Sequence, residues 1–126
     1  MKTTKTVRKA GFTLVEIMIV VAIIGLLAAI AIPNFVRARA TSQANACINN
    51  LRQIDAAINE WALEQGKSTG AGPAGLTTDL TPYIKLNANA AIPGCPAQGT
   101  YTTFTVGSTP QVSCSLSTLN PPHALP

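Results

Sequence analysis

The sequence from Gly11 to Pro33 reads GFTLVEIMIVVAIIGLLAAIAIP, and this stretch decides the fold. It carries no charge from Ile17 to Ile32. Counted from Phe12, it reaches about the 20 residues that a helix needs to cross a bilayer. Four basic residues precede it: Lys2, Lys5, Arg8 and Lys9. Because basic flanks stay in the cytoplasm, the pattern predicts a single span at residues 12–33, with everything after Pro33 on the outside.

Glu16 and the junction before the span distinguish it from an ordinary anchor. A carboxylate within hydrocarbon costs about 2.5–3.5 kcal/mol, so it requires a partner. At the junction, a basic leader meets the apolar run directly at the bond between Gly11 and Phe12. The motif Gly11-Phe12-Thr13-Leu14-Val15-Glu16 resembles the prepilin motif of type IV pilins and type II secretion pseudopilins.

The resemblance implies how the N-terminus is processed. In that family, a membrane peptidase cuts after the glycine and methylates the new terminus, so residues 1–11 would be a leader and the mature chain would begin at Phe12. The new amine and Glu16 would both be buried charges in a bundle of identical helices. Each therefore needs the opposite charge nearby, and the amine of an incoming subunit can meet Glu16 of its neighbour.

Two simpler interpretations of the N-terminal stretch are a secretory signal peptide and a plain anchor. Ala29-Ile30-Ala31 imitates the small-residue cleavage site of a signal peptide. An anchor would carry Glu16 only incidentally. Glu16 interrupts the apolar core, and the helical pattern continues well past Ala31, so the sequence favours the prepilin interpretation.

The net charge of +4 is a feature of the leader and not of the mature chain. Four of the nine basic residues precede Gly11, which leaves 9 − 4 = 5 bases against 5 acids. A basic surface for nucleic acid is therefore not expected.

Gly25 and Pro33 are poor residues for a helix interior. In a bilayer the segment between them stays helical because no other backbone arrangement satisfies its polar groups. The resemblance implies local melting between a glycine and a proline at these places in a filament. An ordinary kink at Pro33 explains the proline equally well.

Residues 34–65 are predicted to continue the helix in amphipathic form and to end it at Gly66. Residues 66–126 would form a small globular head, in which residues 100–106 and 111–116 alternate as strands around a turn at residues 107–110. Such a hairpin is marginal alone and must pack on the helix. The predicted fold class is α+β, with a long N-terminal helix packed against a small antiparallel sheet, as in pilins. The apolar stripe of the amphipathic half consists of Ala44, Cys47, Ile48, Leu51, Ile54, Ile58 and Trp61.

The three cysteines suggest a disulfide in the head. Cys95 and Cys114 flank the predicted strands and would close a loop of about 20 residues. Cys47 lies on the buried stripe, where it is a buried thiol or a partner for either of the others. Together with His123, these residues have the right types for zinc, but they lack the paired spacing of zinc sites, so no metal and no cofactor is predicted. His123 is the single histidine and lies in a Pro-rich tail, which argues against an enzyme.

These observations predict a structural subunit of a type IV pilus, made as a single-pass inner-membrane precursor with its head outside the cytoplasm. The resemblance implies a homo-oligomeric filament, a prepilin peptidase, an inner-membrane assembly platform and a motor ATPase as partners. The major pseudopilin of a type II secretion system is the alternative. A minor tip or adhesive pilin is less favoured, and a membrane-anchored redox protein that uses Cys47 is the least favoured.

Overall fold

The computed structural model describes residues 11–72 and 74–126. Over these residues the elements are one helix, α1 (Leu14–Glu64), and two short strands, β1 (Tyr101–Thr103) and β2 (Val112–Cys114). This arrangement confirms the predicted α+β, pilin-like fold class. The basic leader flank lies outside the described residues. The chain divides between Arg37 and Ala38 into two compact units.

In the first unit, α1 is helical through both Gly25 and Pro33. Pro33 has no N–H to donate, so the helix lacks one backbone bond there without ending. Melting of this segment in a filament stays a prediction. The large apolar side chains from Leu14 to Val36 are exposed on all faces. Among the described residues, α1 is the one helix that is long and apolar enough to cross a membrane.

In the second unit, α1 buries one face and ends as predicted. The helix stops at Glu64, and Gly66 adopts a positive φ of 60°. The Gly66 N–H donates to the Leu63 carbonyl at 3.3 Å, and the Lys67 N–H donates to the Ala62 carbonyl at 2.8 Å. This pair of bonds is a Schellman motif, which satisfies two of the last helical carbonyls. The buried face consists of Ala44, Cys47, Leu51, Ile54, Ala57, Ile58 and Ala62.

The predicted hairpin is present, with shorter strands than the alternation indicated. β1 and β2 pair antiparallel, with Tyr101 opposite Cys114 and Thr103 opposite Val112. Just before β2, the side chain of Gln111 connects the hairpin turn to α1 through hydrogen bonds. It accepts a hydrogen bond from the Gly107 N–H at 3.1 Å and donates to Asn59 of α1 at 3.0 Å.

The core of the second unit lies between α1, the hairpin and the loops that connect them. Val112 and Cys114 of β2 are buried in one cluster with the apolar face of α1, which confirms that the hairpin packs on the helix. The segment at residues 77–85 is a series of turns, and it adds Leu80 and Ile84 to the same cluster. Tyr83 is half-buried, and its hydroxyl donates to the Glu64 carboxylate.

Candidate functional site

The first candidate region is the start of α1, where Thr13 and Glu16 cap the helix. The Glu16 Oε2 atom accepts hydrogen bonds from the Thr13 N–H at 2.8 Å and from the Thr13 hydroxyl at 2.9 Å. The Glu16 N–H donates back to Thr13 Oγ1 at 3.2 Å. This reciprocal pattern is a capping box, and the sequence analysis did not predict it although the Thr-x-x-Glu spacing is the signal that could have done so.

The capping box leaves Glu16 with acceptor capacity for a further partner. An ionised carboxylate offers about four lone-pair positions, and Thr13 uses two of them. Phe12 is 86% exposed, and both Gly11 and Phe12 precede the first helical residue, Leu14. The bond between them therefore lies outside the helix, between two exposed residues. The roles of Gly11, Phe12 and Glu16 in processing and assembly stay predictions.

The second region is a cluster of sulfur and nitrogen ligands in the head. The ligand atoms of Cys47, Cys95, Cys114 and His123 all lie within 4.8 Å of one another, and all four residues are buried. Cys95 Sγ lies 3.3 Å from His123 Nδ1. The expectation that His123 is a lone residue in a tail was wrong, because its side chain is only 4% exposed. The three cysteines are free thiols here, and the disulfide between Cys95 and Cys114 stays a prediction.

Each member of the cluster comes from a different segment. Cys47 lies on the buried face of α1, and Cys114 is the last residue of β2. Cys95 begins a tight turn in which the Gln98 N–H donates to its carbonyl at 2.9 Å. His123 is anchored by its backbone N–H, which donates to the Leu116 carbonyl at 3.4 Å.

The surroundings of the cluster shift the pKa values of Cys47 and Cys95 in opposite directions. Burial raises the pKa of Cys47 to about 12, although the Tyr101 hydroxyl, 3.5 Å from its sulfur, acts in the opposite direction. Burial also acts to raise the pKa of Cys95. The backbone N–H groups of Ala97 and Gly99 and the neighbouring thiols together outweigh burial and hold the pKa of Cys95 below its usual value.

Two residues that the sequence analysis did not single out shape this cluster. The Tyr101 hydroxyl is held by Asn50 of α1, whose amide donates to it at 3.2 Å. Gly99 packs directly against Cys114, since a Cβ added at Gly99 would lie 2.6 Å from the Cys114 sulfur. The position of Tyr101 in the strand pattern did not indicate its contact with Cys47. A glycine in a loop, such as Gly99, indicated only weakly that another group packs closely against it.

The chain is similar to known proteins in two ways: a family model matches a short N-terminal motif, and several type IV major pilin or fimbrial proteins align with part of the chain. A family model described as "Prokaryotic N-terminal methylation motif" matches residues 7–32. The type IV major pilin protein PilA of Myxococcus xanthus is 48% identical over 60 residues, which are 48% of this chain and 27% of that protein.

Two further relatives carry the similarity over a longer stretch. PilE1 of Neisseria gonorrhoeae, a type IV major pilin protein, is 39% identical over 80 residues, covering 60% of this chain and 48% of the relative. The type IV major fimbrial protein FimA of Dichelobacter nodosus is 42% identical over 88 residues, covering 67% and 56%. The chain thus spans between about a quarter and just over half of the length of these relatives. No solved structure matches it.

Proposed function

The methylation motif and the similarity to major pilins support the type IV pilin family, and from this premise we propose that the chain is a structural subunit of a type IV pilus. The precursor inserts into the inner membrane with its leader inside and its head outside the cytoplasm. A prepilin peptidase cleaves it after Gly11 and methylates Phe12. The relatives are structural pilins, which are not enzymes, and the chain is likewise not an enzyme.

The observation that carries the proposal is the apolar surface on every side of the first unit. The four consecutive residues Ile17, Met18, Ile19 and Val20 are each at least 50% exposed, and successive helical residues point about 100° apart. They therefore cover a full turn, so no single packing partner can bury them. Such a helix needs an apolar environment all round, which either a bilayer or a bundle of identical helices supplies.

The same surface accounts for movement between membrane and filament. Lipid tails are as apolar as the side chains of neighbouring helices, so burial from water contributes little to the exchange. The free energies of the two states are then close, and an external motor can drive the transfer. The proposed partners are further copies of the chain, the peptidase, an inner-membrane assembly platform and, indirectly, a motor ATPase.

We propose that Glu16 aligns each incoming subunit with its neighbour in the filament. Cleavage creates an amine at Phe12, and in a helix bundle that amine is a buried charge that remains unpaired unless an anion lies beside it. The Glu16 carboxylate of a neighbouring subunit, with the acceptor positions that Thr13 leaves, is such an anion. Removing one partner of a buried pair costs about 3–5 kcal/mol, so a misplaced subunit is rejected.

The test is intact and N-terminal peptide mass spectrometry on filaments sheared from native cells. We expect an abundant chain that begins at Phe12 and carries one additional methyl group. A chain processed at Phe12 that stays with the cells would support the pseudopilin of a type II secretion system instead. A chain that begins after Ala31 would contradict both.

A pair of glycine variants makes this test specific. Gly11→Val should leave the full-length precursor in the membrane, because a branched side chain enters the cleavage site. Gly25→Ala is the matched control, since a Cβ there meets nothing within 4 Å, and it should be processed normally. Normal processing of Gly11→Val would contradict cleavage at this bond.

A further inference from the structure

The buried cluster in the head has the composition and geometry of a structural metal site. We propose that Cys47, Cys95, Cys114 and His123 bind one zinc ion, which fastens together the helix, the hairpin and the C-terminal segment. The proposal concerns only the second unit, and it is independent of whether the chain assembles into a filament.

The distances fit a tetrahedral ion. Zinc bonds of about 2.3 Å to sulfur and 2.0–2.1 Å to nitrogen place tetrahedral ligand atoms about 3.8 Å apart for two sulfurs and about 3.6 Å apart for sulfur and nitrogen. All the candidate atoms here lie within 4.8 Å of one another. Cys95 Sγ and His123 Nδ1 are 3.3 Å apart, within a few tenths of an ångström of the tetrahedral value.

A single ion accounts for all four residues, whereas a disulfide accounts for two. If Cys95 and Cys114 were joined, the Cys47 thiol and the His123 imidazole would remain buried against the bond. In that arrangement His123 would be buried beside a disulfide and one thiol, and the disulfide would not require it. In a Cys₃His site each residue supplies one ligand, and such sites are among the structural zinc types.

The ligand set selects zinc over other common ions. Calcium and magnesium require oxygen ligands, and the cluster has none. Soft thiolates together with an imidazole in a tetrahedral arrangement favour zinc. All four positions are filled by buried protein groups, which leaves no open position for a substrate, so the site is structural and not catalytic.

The surroundings compensate the charge of such a site. Three thiolates and one zinc ion carry a net charge of −1, which needs hydrogen-bond donors when it is buried. The Tyr101 hydroxyl faces Cys47 Sγ at 3.5 Å, and the backbone N–H groups of Ala97 and Gly99 interact with Cys95. Groups that donate to metal ligands in this way orient them and tune the affinity.

The experiment begins with the full chain extracted from its native membranes in detergent. Elemental analysis should find one zinc per chain, and alkylation after denaturation should find all three cysteines reduced. Replacing the zinc with cobalt should give the intense visible bands of a tetrahedral site and the sulfur-to-cobalt charge-transfer bands of thiolate ligands. This spectrum identifies the ligand set in the unaltered chain, so the test does not depend on whether a variant folds.

Variants then separate a metal site from a disulfide. His123→Gln and Cys47→Ser should each lower zinc affinity by more than about 100-fold, since even outer-shell changes cost 10- to 100-fold. Neither residue is needed for a bond between Cys95 and Cys114. Ser113→Ala, beside a ligand on the same strand, is the control and should bind zinc normally.

Two results would overturn the proposal. One is a chain isolated from cells with a disulfide between Cys95 and Cys114 and without zinc. The other is zinc or cobalt binding that His123→Gln leaves unchanged, which would indicate binding by thiols alone and not by the four-residue site.

Discussion

Glu16 has two roles that a pair of substitutions can separate: it caps its own helix, and by our proposal it pairs with the amine of a neighbouring subunit. Glu16→Gln keeps an amide oxygen that can accept both hydrogen bonds from Thr13, but it removes the charge. Thr13→Ala keeps the charge but removes the hydroxyl of the capping box. The two variants therefore change one role each.

The expected effects differ in size. Loss of a cap costs about 0.5–2 kcal/mol, which corresponds to about 2- to 30-fold in an equilibrium constant. Loss of one partner of a buried ion pair costs about 3–5 kcal/mol, or about 100- to 4,000-fold. Because the two ranges do not overlap, filament yield should fall far more in Glu16→Gln than in Thr13→Ala.

The assay is the amount of sheared filament, divided by the amount of processed subunit in the membrane of the same cells. That ratio separates assembly from expression and from cleavage. We expect processing after Gly11 in both variants and a large loss of filament only in Glu16→Gln. Equal yields from the two variants would refute the pairing role and leave Glu16 as a helix cap.

Three further predictions concern the head, and each can be measured on the full chain in detergent. Leu51→Ala, at a fully buried position of α1, should lower the free energy of unfolding by about 2–5 kcal/mol, measured in urea titrations followed by tryptophan fluorescence. The control is Leu63→Ala, at a position 84% exposed on the same helix, and it should change the free energy of unfolding by less than about 0.5 kcal/mol. Similar losses from the two would contradict the burial pattern. Tyr101→Phe removes a donor to a ligand sulfur and should weaken zinc binding by about 10- to 100-fold without changing the stoichiometry, so an unchanged affinity in a competition titration would exclude that role. Gly99→Ala places a methyl group 2.6 Å from the Cys114 sulfur and should distort the cobalt spectrum, and a spectrum identical to that of the unaltered chain would show that the site tolerates the displacement.

The parts of the fold that follow local rules were predictable from sequence. Uniform apolar residues around Ile17 to Ile32 and a three-to-four spacing around Leu51 predicted both halves of α1. Gly66 marked the helix end because a residue after a helix adopts a positive φ most easily as glycine. The alternation of side chains after Thr100 predicted the hairpin, because alternation along a strand is also a pattern of neighbouring residues.

The ligand cluster depends on long-range packing, which local patterns do not encode. Cys47 is separated from Cys95 by the rest of α1 and the loops that follow it, and no two ligands have the close spacing that identifies most zinc sites. They meet because the register of the hairpin sets Cys114 opposite Tyr101 and because β2 packs on the buried face of α1. His123 was misplaced for a related reason: a Pro-rich segment does not form a strand, but it can still lie against a core.

His123 follows all three cysteines of the cluster in the sequence, so it is the last of the four residues to be synthesised. Cys47 leaves the ribosome long before His123, and at about 5–20 residues per second the interval lasts several seconds. Throughout that time the thiols of the cluster lack their last neighbour, so the four-residue cluster cannot form until His123 has left the ribosome. Oxidants and thiol reagents therefore have a defined window in which to reach these cysteines, and a pulse of alkylating reagent should label nascent chains but spare finished ones.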